Sequence, residues 1–157
     1  MIDIHSHFLF GIDDGSKNQL QTIDMLHQAE EAGITDLVAT PHVNELANVG
    51  YLEQISENLK NIRKIIKNKN LNLRIHRGSE IIFDTKIIDW LDYHELLIGK
   101  EQKYVLFEVP LFIDLSKISQ LIFDIQLKNI IPIFAHPERS NKIQDSPEIL
   151  EAWVNQG

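Results

Sequence analysis

Apolar and polar positions alternate over the first ten residues, MIDIHSHFLF, and this period of two predicts a strand over 1–10. Over 17–32 the period lengthens. Leu20, Ile23, Leu26 and Ala29 recur on one stripe, which predicts a helix with Ser16 as its N-cap and Gly33 as its stop. The run DLVAT over 36–40 reads as a short buried strand, ended by Pro41, which cannot extend a ladder. A longer amphipathic helix is predicted over 51–67. Its apolar positions Leu52, Ile55, Leu59, Ile62 and Ile66 are spaced by three and four, and the lysines and asparagines of its other face are solvated. A third strand is expected over 71–76, ended by Gly78-Ser79-Glu80, with a short helical piece over 85–91. YVLFEV over 104–109 is a fourth strand closing at Pro110, and Leu115, Ile118, Leu121, Ile122 and Ile125 stripe the helix after it. IIPIFA over 130–135 is a fifth strand, terminated by His136-Pro137-Glu138-Arg139, and Ser146-Pro147-Glu148 opens a last helix with proline in its first turn.

Strands alternating with helices over short connections imply parallel βα units with right-handed crossovers, in an α/β barrel or an open α/β sheet. At 157 residues one domain is expected. In either architecture, functional residues gather at the carboxyl ends of the strands. His5, His7, Asp14, His42, Glu80, Glu108, His136 and Arg139 all fall there. His5 and His7, two apart on a strand, share one face about 7 Å apart and can reach one ion. A carboxylate at the end of an apolar strand, as at Glu80 and Glu108, costs desolvation energy unless a cation or donor compensates it. The set reads as a multinuclear metal centre. Bland readings suit the remainder: His27, His76 and His94 as surface or satisfied core histidines, Asp13 as a turn cap, Glu138 as a ligand or the partner of a lysine, and Phe8, Phe10 and Phe107 as core.

Composition narrows the chemistry. A formal net charge of -8 argues against a nucleic-acid surface and leaves clustered carboxylates free to bind cations. With no cysteine there is no disulfide, thiolate zinc site or cysteine nucleophile, so ligands must be oxygen and nitrogen. The longest apolar runs, such as 130–135, are too short to span a bilayer, and the first residues lack a basic n-region followed by an apolar h-region, so a cytoplasmic protein is expected.

The runs MIDIHSH, DDG, ATPH (39–42), GSE (78–80), FEVP (107–110) and AHPER (135–139) together resemble the polymerase-and-histidinol-phosphatase (PHP) superfamily. Within it they are similar to the bacterial protein-tyrosine phosphatases of the CpsB/YwqE type, which regulate capsule and exopolysaccharide synthesis. The resemblance implies a distorted (β/α)7 barrel holding three divalent ions, manganese first and iron or zinc otherwise. It would place His5, His7 and Glu80 on the first ion, Glu80 as a bridge with Glu108 and His136 on the second, and Asp14 with His42 on the third. Arg139 corresponds to the phosphate-binding arginine, which would act in both substrate binding and catalysis. The implied reaction is hydrolysis of phosphotyrosine by a metal-bound hydroxide, and the implied substrate is the phosphotyrosine tail of a bacterial tyrosine kinase controlling polysaccharide export. Members of this family continue past the equivalent of Gly157 to an Asp-x-His motif. The resemblance therefore implies a C-terminally truncated, incomplete barrel of about five βα units, in which the Asp14/His42 site keeps only two protein ligands. The alternatives are a small-molecule phosphomonoesterase of the histidinol-phosphatase kind and a catalytically impaired metal-binding remnant. Homo-oligomer formation is left open.

Overall fold

The computed structural model describes residues 1–44, 49–82, 87–111 and 114–156. The chain divides into two compact units, Met1–Ser79 and Glu80–Gly157. The first contains β1 (Ile2–Ser6), α1 (Gln19–Glu31), β2 (Asp36–Ala39), β3 (His42–Val43), α2 (Val49–Asn68) and β4 (Arg74–Arg77). Strands β1, β2 and β4 lie side by side in that order, all parallel, as βα units require. Leu37, Ala39 and Ile75 alternate onto one sheet face and meet Leu26 of α1 and Ile55, Leu59 and Ile62 of α2 in a single core. Each large aliphatic chain buried there contributes about 1.5–3 kcal/mol relative to exposure.

The second unit contains β5 (Glu80–Ile82), α3 (Ile87–Trp90), β6 (Tyr104–Glu108), α4 (Leu115–Leu127), β7 (Ile131–Ala135), α5 (Asn141–Asp145) and α6 (Glu148–Asn155). β5 pairs with β6 and β6 with β7, again in parallel. Ile81, Val105 and Phe107 are fully buried on one sheet face, and α4 buries Ile118, Leu121, Ile122 and Ile125. Phe107 lies 4.8 Å from Phe134 between ring centroids, and Phe134 stacks on Trp153 at 5.2 Å, tying α6 to the sheet. The Trp153 indole N–H donates to Ser119 Oγ at 2.9 Å, so the buried ring keeps its polar edge satisfied.

The mixed α/β class with parallel strands agrees with the sequence pattern, and several details do not. Among the described residues seven strands form where five were expected, because β3 and β5 are two and three residues long and too short to show a period. Glu80 opens a strand instead of following one. The first strand ends at Ser6, and Phe8 and Leu9 leave the ladder to become fully buried. The N-cap of α1 is Asn18, whose side chain accepts from Gln21 N at 3.0 Å. Ser16 cannot serve there, because its buried hydroxyl is engaged by Asn18 O and Thr22 Oγ1. The stripe of α1 is also shifted: Leu20 is 74% exposed, and Thr22 turns inward to donate to Phe8 O at 2.7 Å. β4 starts at Arg74, although Leu71 and Leu73 still pack into the core. Position 85, where the short helix was expected to begin, lies outside the described residues. No helix among those residues is long and apolar enough to cross a membrane.

At the start of β2, Asp36 accepts from Arg74 Nε at 2.7 Å, from Thr35 Oγ1 at 2.9 Å and from His76 Nε2 at 2.8 Å. His76 is thus a satisfied structural histidine, as expected. The Arg74 and His76 hydrogen bonds hold the Asp36 carboxyl far below its ordinary 3.8. A carboxyl depressed in the folded state stabilises above the unfolded value, and that stability is lost as pH falls through the lower folded value. The stabilisation that this network supplies should therefore be lost progressively below about pH 4. Urea midpoints measured against pH should flatten on this limb in Asp36→Asn, and an unchanged slope would rule this network out as the cause.

Candidate metal centre

In the first unit, the DDG turn folds back on the histidines that precede it. Gly11 N donates to Ser16 O at 2.8 Å and Ser16 N donates to His7 O at 3.0 Å, closing the loop against His7. Asp13, its side chain 5% exposed, becomes the organiser of this loop. Its Oδ2 accepts from His7 Nδ1 at 2.7 Å and from the His42 backbone N–H at 3.1 Å, and its Oδ1 accepts from Gly15 N at 3.0 Å. Burial raises the Asp13 carboxyl, but the hydrogen bonds from His7, Gly15 and His42 outweigh it and hold the group below its ordinary value. An ionised Asp13 accepts only, so His7 Nδ1 carries the proton and Nε2 presents its lone pair. This is the carboxylate–histidine arrangement that orients metal ligands.

That lone pair is directed at other donors. His7 Nε2 lies 3.2 Å from His5 Nε2, a separation two ring nitrogens sustain with a proton or cation shared between them. The His7 and His42 rings are 4.7 Å apart between centroids, and His42 Nε2 is 3.4 Å from Asp14 Oδ1. One ligand atom from each of His7, Asp14 and His42 falls within 4.8 Å of the others, so the three can hold one ion. His42 is fixed from behind by Tyr51, whose hydroxyl donates to His42 O at 2.7 Å. Burial and the nearby Asp13 charge push the Tyr51 hydroxyl up to about 12, so it remains a donor at neutral pH.

In the second unit, register decides the arrangement. Glu80 pairs with Leu106, and Glu108 lies two residues further along β6, so both carboxylates stand on one sheet face. Their oxygens come within 4.8 Å, with Glu80 fully buried. Like charges so close call for compensating cationic groups. His136 follows β7 directly, next to the Glu108–Ala135 pair, and adopts a left-handed backbone (φ 50°) that redirects the chain before Pro137. Its Nδ1 is 3.4 Å from Glu138 Oε1, so among the described residues Glu138 pairs with this histidine and not with a lysine. Arg139 Nη1 donates to Glu108 Oε1 at 3.1 Å while the side chain stays 53% exposed.

The expected ligands His5, His7, Asp14 and His42 thus lie in one unit and Glu80, Glu108 and His136 in the other, where the expected phosphate-binding Arg139 meets Glu108 and the His136 ring meets Glu138. The residue not foreseen is Asp13, read from the sequence as a turn cap. It does cap the turn, through Gly15 N, and it also orients His7.

The chain is similar along its whole length to the tyrosine-protein phosphatase YwqE of Bacillus subtilis (33% identical over 157 residues) and to the tyrosine-protein phosphatase CpsB of Streptococcus pneumoniae (27%). It spans 62% and 65% of the lengths of these two relatives. A crystal structure from work on YwqE and CpsB, described there as unique metal-dependent tyrosine phosphatases, superposes on all of this chain with a TM-score of 0.89 at 33% identity and is covered over 64% of its own length. This agreement extends the α/β match to the fold of those proteins. The family model for capsular polysaccharide synthesis, CpsB/CapC, matches residues 1–157 without interruption, and the chain belongs to that family.

Proposed function

We propose that residues 1–157 form the N-terminal portion of a PHP-type phosphatase domain whose activity is metal-dependent hydrolysis of phosphotyrosine in proteins. The observation that carries this reading is the Asp13–His7 pair, which turns His7 Nε2 toward His5, in a cluster where one ligand atom each of His7, Asp14 and His42 lies within 4.8 Å of the others. Imidazole and carboxylate donors without thiolates suit manganese, iron or zinc, with manganese as the first choice. The proposed ligands are His5, His7, Asp14, His42, Glu80, Glu108 and His136, three ions being the number the family resemblance implies. Divalent ions held this way supply Lewis acidity toward water and toward a phosphoryl oxygen.

The chain's own residues contribute binding and orientation. Asp13 keeps His7 in one tautomer, and Tyr51 and the Asp13 carboxylate hold the His42 backbone from two sides. Arg139 is anchored at Nη1 by Glu108, which leaves an exposed planar fork suited to two phosphoryl oxygens. These 157 residues offer no cysteine thiolate, so direct hydrolysis without a phosphoenzyme fits the residues available. The names of the relatives support a phosphotyrosine protein as substrate. The family's role in capsular polysaccharide synthesis supports the tail of a bacterial tyrosine kinase, met in the cytoplasm.

The test is a phosphotyrosine-peptide assay on the purified chain, with metal content measured in parallel. Turnover should require manganese, disappear with a chelator and fall at least about tenfold in Arg139→Ala, the scale of a lost charge-assisted contact. Full turnover after the metals are stripped, or equal turnover of histidinol phosphate, would count against the proposal.

A further inference from the structure

Seven of the chain's 15 Lys and Arg residues fall within 58–79, a stretch with no Asp or Glu. The rest of the chain carries eight cations against all 23 acidic residues, so the stretch inverts the charge of the molecule. Most of these cations stand on α2. Lys60, Arg63, Lys64 and Lys67 recur at helical spacing and are exposed, and none makes an ion pair among the described residues. Lys67 in the last turn would complement the helix dipole, but the dipole acts only over that turn and leaves the other three unexplained. Beside this stripe an open groove of about 300 Å³ runs between α2 and β4, lined by Arg63, Ile66, Lys67, Leu73, Arg74 and Ile75. Its lining has an apolar part and a cationic part, with no carboxylate. Arg74 is held by Asp36, and Arg63 Nη2 reaches Ile75 O at 3.5 Å, so two of its three cations are already positioned.

We propose that this groove docks an acidic polypeptide segment that also carries apolar side chains. Charge complementarity selects an anionic partner. The apolar residues Ile55, Leu59, Ile62 and Ile66 of α2 face the protein core, so the helix has no apolar face to sink into a bilayer, and a concave groove with aliphatic walls fits a peptide better than a lipid surface. The site is independent of the phosphatase chemistry.

The test is fluorescence anisotropy with a labelled glutamate-rich peptide with interspersed leucines, titrated with the full chain. Binding should weaken about tenfold between low and physiological salt and about tenfold or more in Arg63→Gln/Lys67→Gln. Arg63→Lys/Lys67→Arg should retain it. Lys117→Gln/Lys142→Gln, with the same change in net charge, should bind within about twofold of the parent, since a net-charge effect would follow charge alone. Lys67→Gln by itself serves if the Arg63 substitution disturbs folding by circular dichroism, and it should weaken binding in the same direction. Undiminished binding by the folded groove variants would overturn the proposal. So would binding to vesicles of anionic phospholipid without binding to the peptide, or salt-dependent self-association of the chain in place of peptide capture.

Discussion

Gly15→Ala will dislodge His7. A Cβ at position 15 would lie 2.2 Å from His7 O and 2.4 Å from His7 Cβ, well inside any tolerable contact. The obstacle is backbone as well as side chain, so a rotamer change cannot relieve it. The loop cannot simply retreat either, because Ser16 N is bonded to His7 O and Gly15 N to Asp13 Oδ1. Overpacking of this kind costs about 1–3 kcal/mol. Because the displaced residue is a proposed ligand, manganese affinity should fall at least about tenfold as well, the scale seen when ligand orientation is lost. Urea unfolding and metal titration of the same variant measure both effects. A variant with the parent's midpoint and affinity would show that the loop has slack and that the close approach is not required.

Asp13→Asn should weaken metal binding by about 10- to 100-fold while leaving the fold in place, the range associated with outer-shell partners of ligating histidines. The substitution keeps size and replaces one acceptor with a donor. If the amide nitrogen faces His7, Nδ1 must become the acceptor and the proton moves to Nε2, where the lone pair is needed. The His42 backbone N–H, which shares Asp13 Oδ2, then meets a donor too. If the amide turns the other way, Gly15 N loses its acceptor instead and the turn loosens. Either orientation damages the ligand set without removing a ligand. Manganese titration, with the His7 ring tautomer read by nitrogen NMR, distinguishes the two. Affinity equal to the parent's would reduce Asp13 to the turn cap its sequence suggests.

The contrast between Asp13 and Asp14 shows where sequence legibility stops. Both are aspartates of one DDG run, and spacing pointed to Asp14 as the ligand candidate. The structure directs Asp14 to His42 Nε2 and Asp13 to His7 Nδ1, two roles that adjacent identical residues cannot reveal in one dimension. The second bond that defines Asp13 spans 29 residues, to the backbone of His42, far beyond any local period. Element boundaries failed for a related reason. α2 was readable because four turns of apolar residues repeat on one face, whereas β3 and β5 hold too few residues to show a repeat. Leu20 was misplaced because the stripe of a short helix is set by what it packs on, and the inward position went to Thr22, held by Phe8 O.

The chain by itself determined the class of fold, the donor types at the strand ends and the absence of any thiol, since these follow from local period and composition. HSH at the first strand, FEVP and AHPER could be read as candidate donors at strand ends without coordinates, whereas the glutamate of GSE opens a strand. Tertiary structure alone decided which donors face one another and which carboxylate serves as orienter. It also gathered the cations of a nominally solvated helix face around a groove. Donor identity is written residue by residue, whereas direction and grouping depend on hydrogen bonds and packing between segments far apart in the chain.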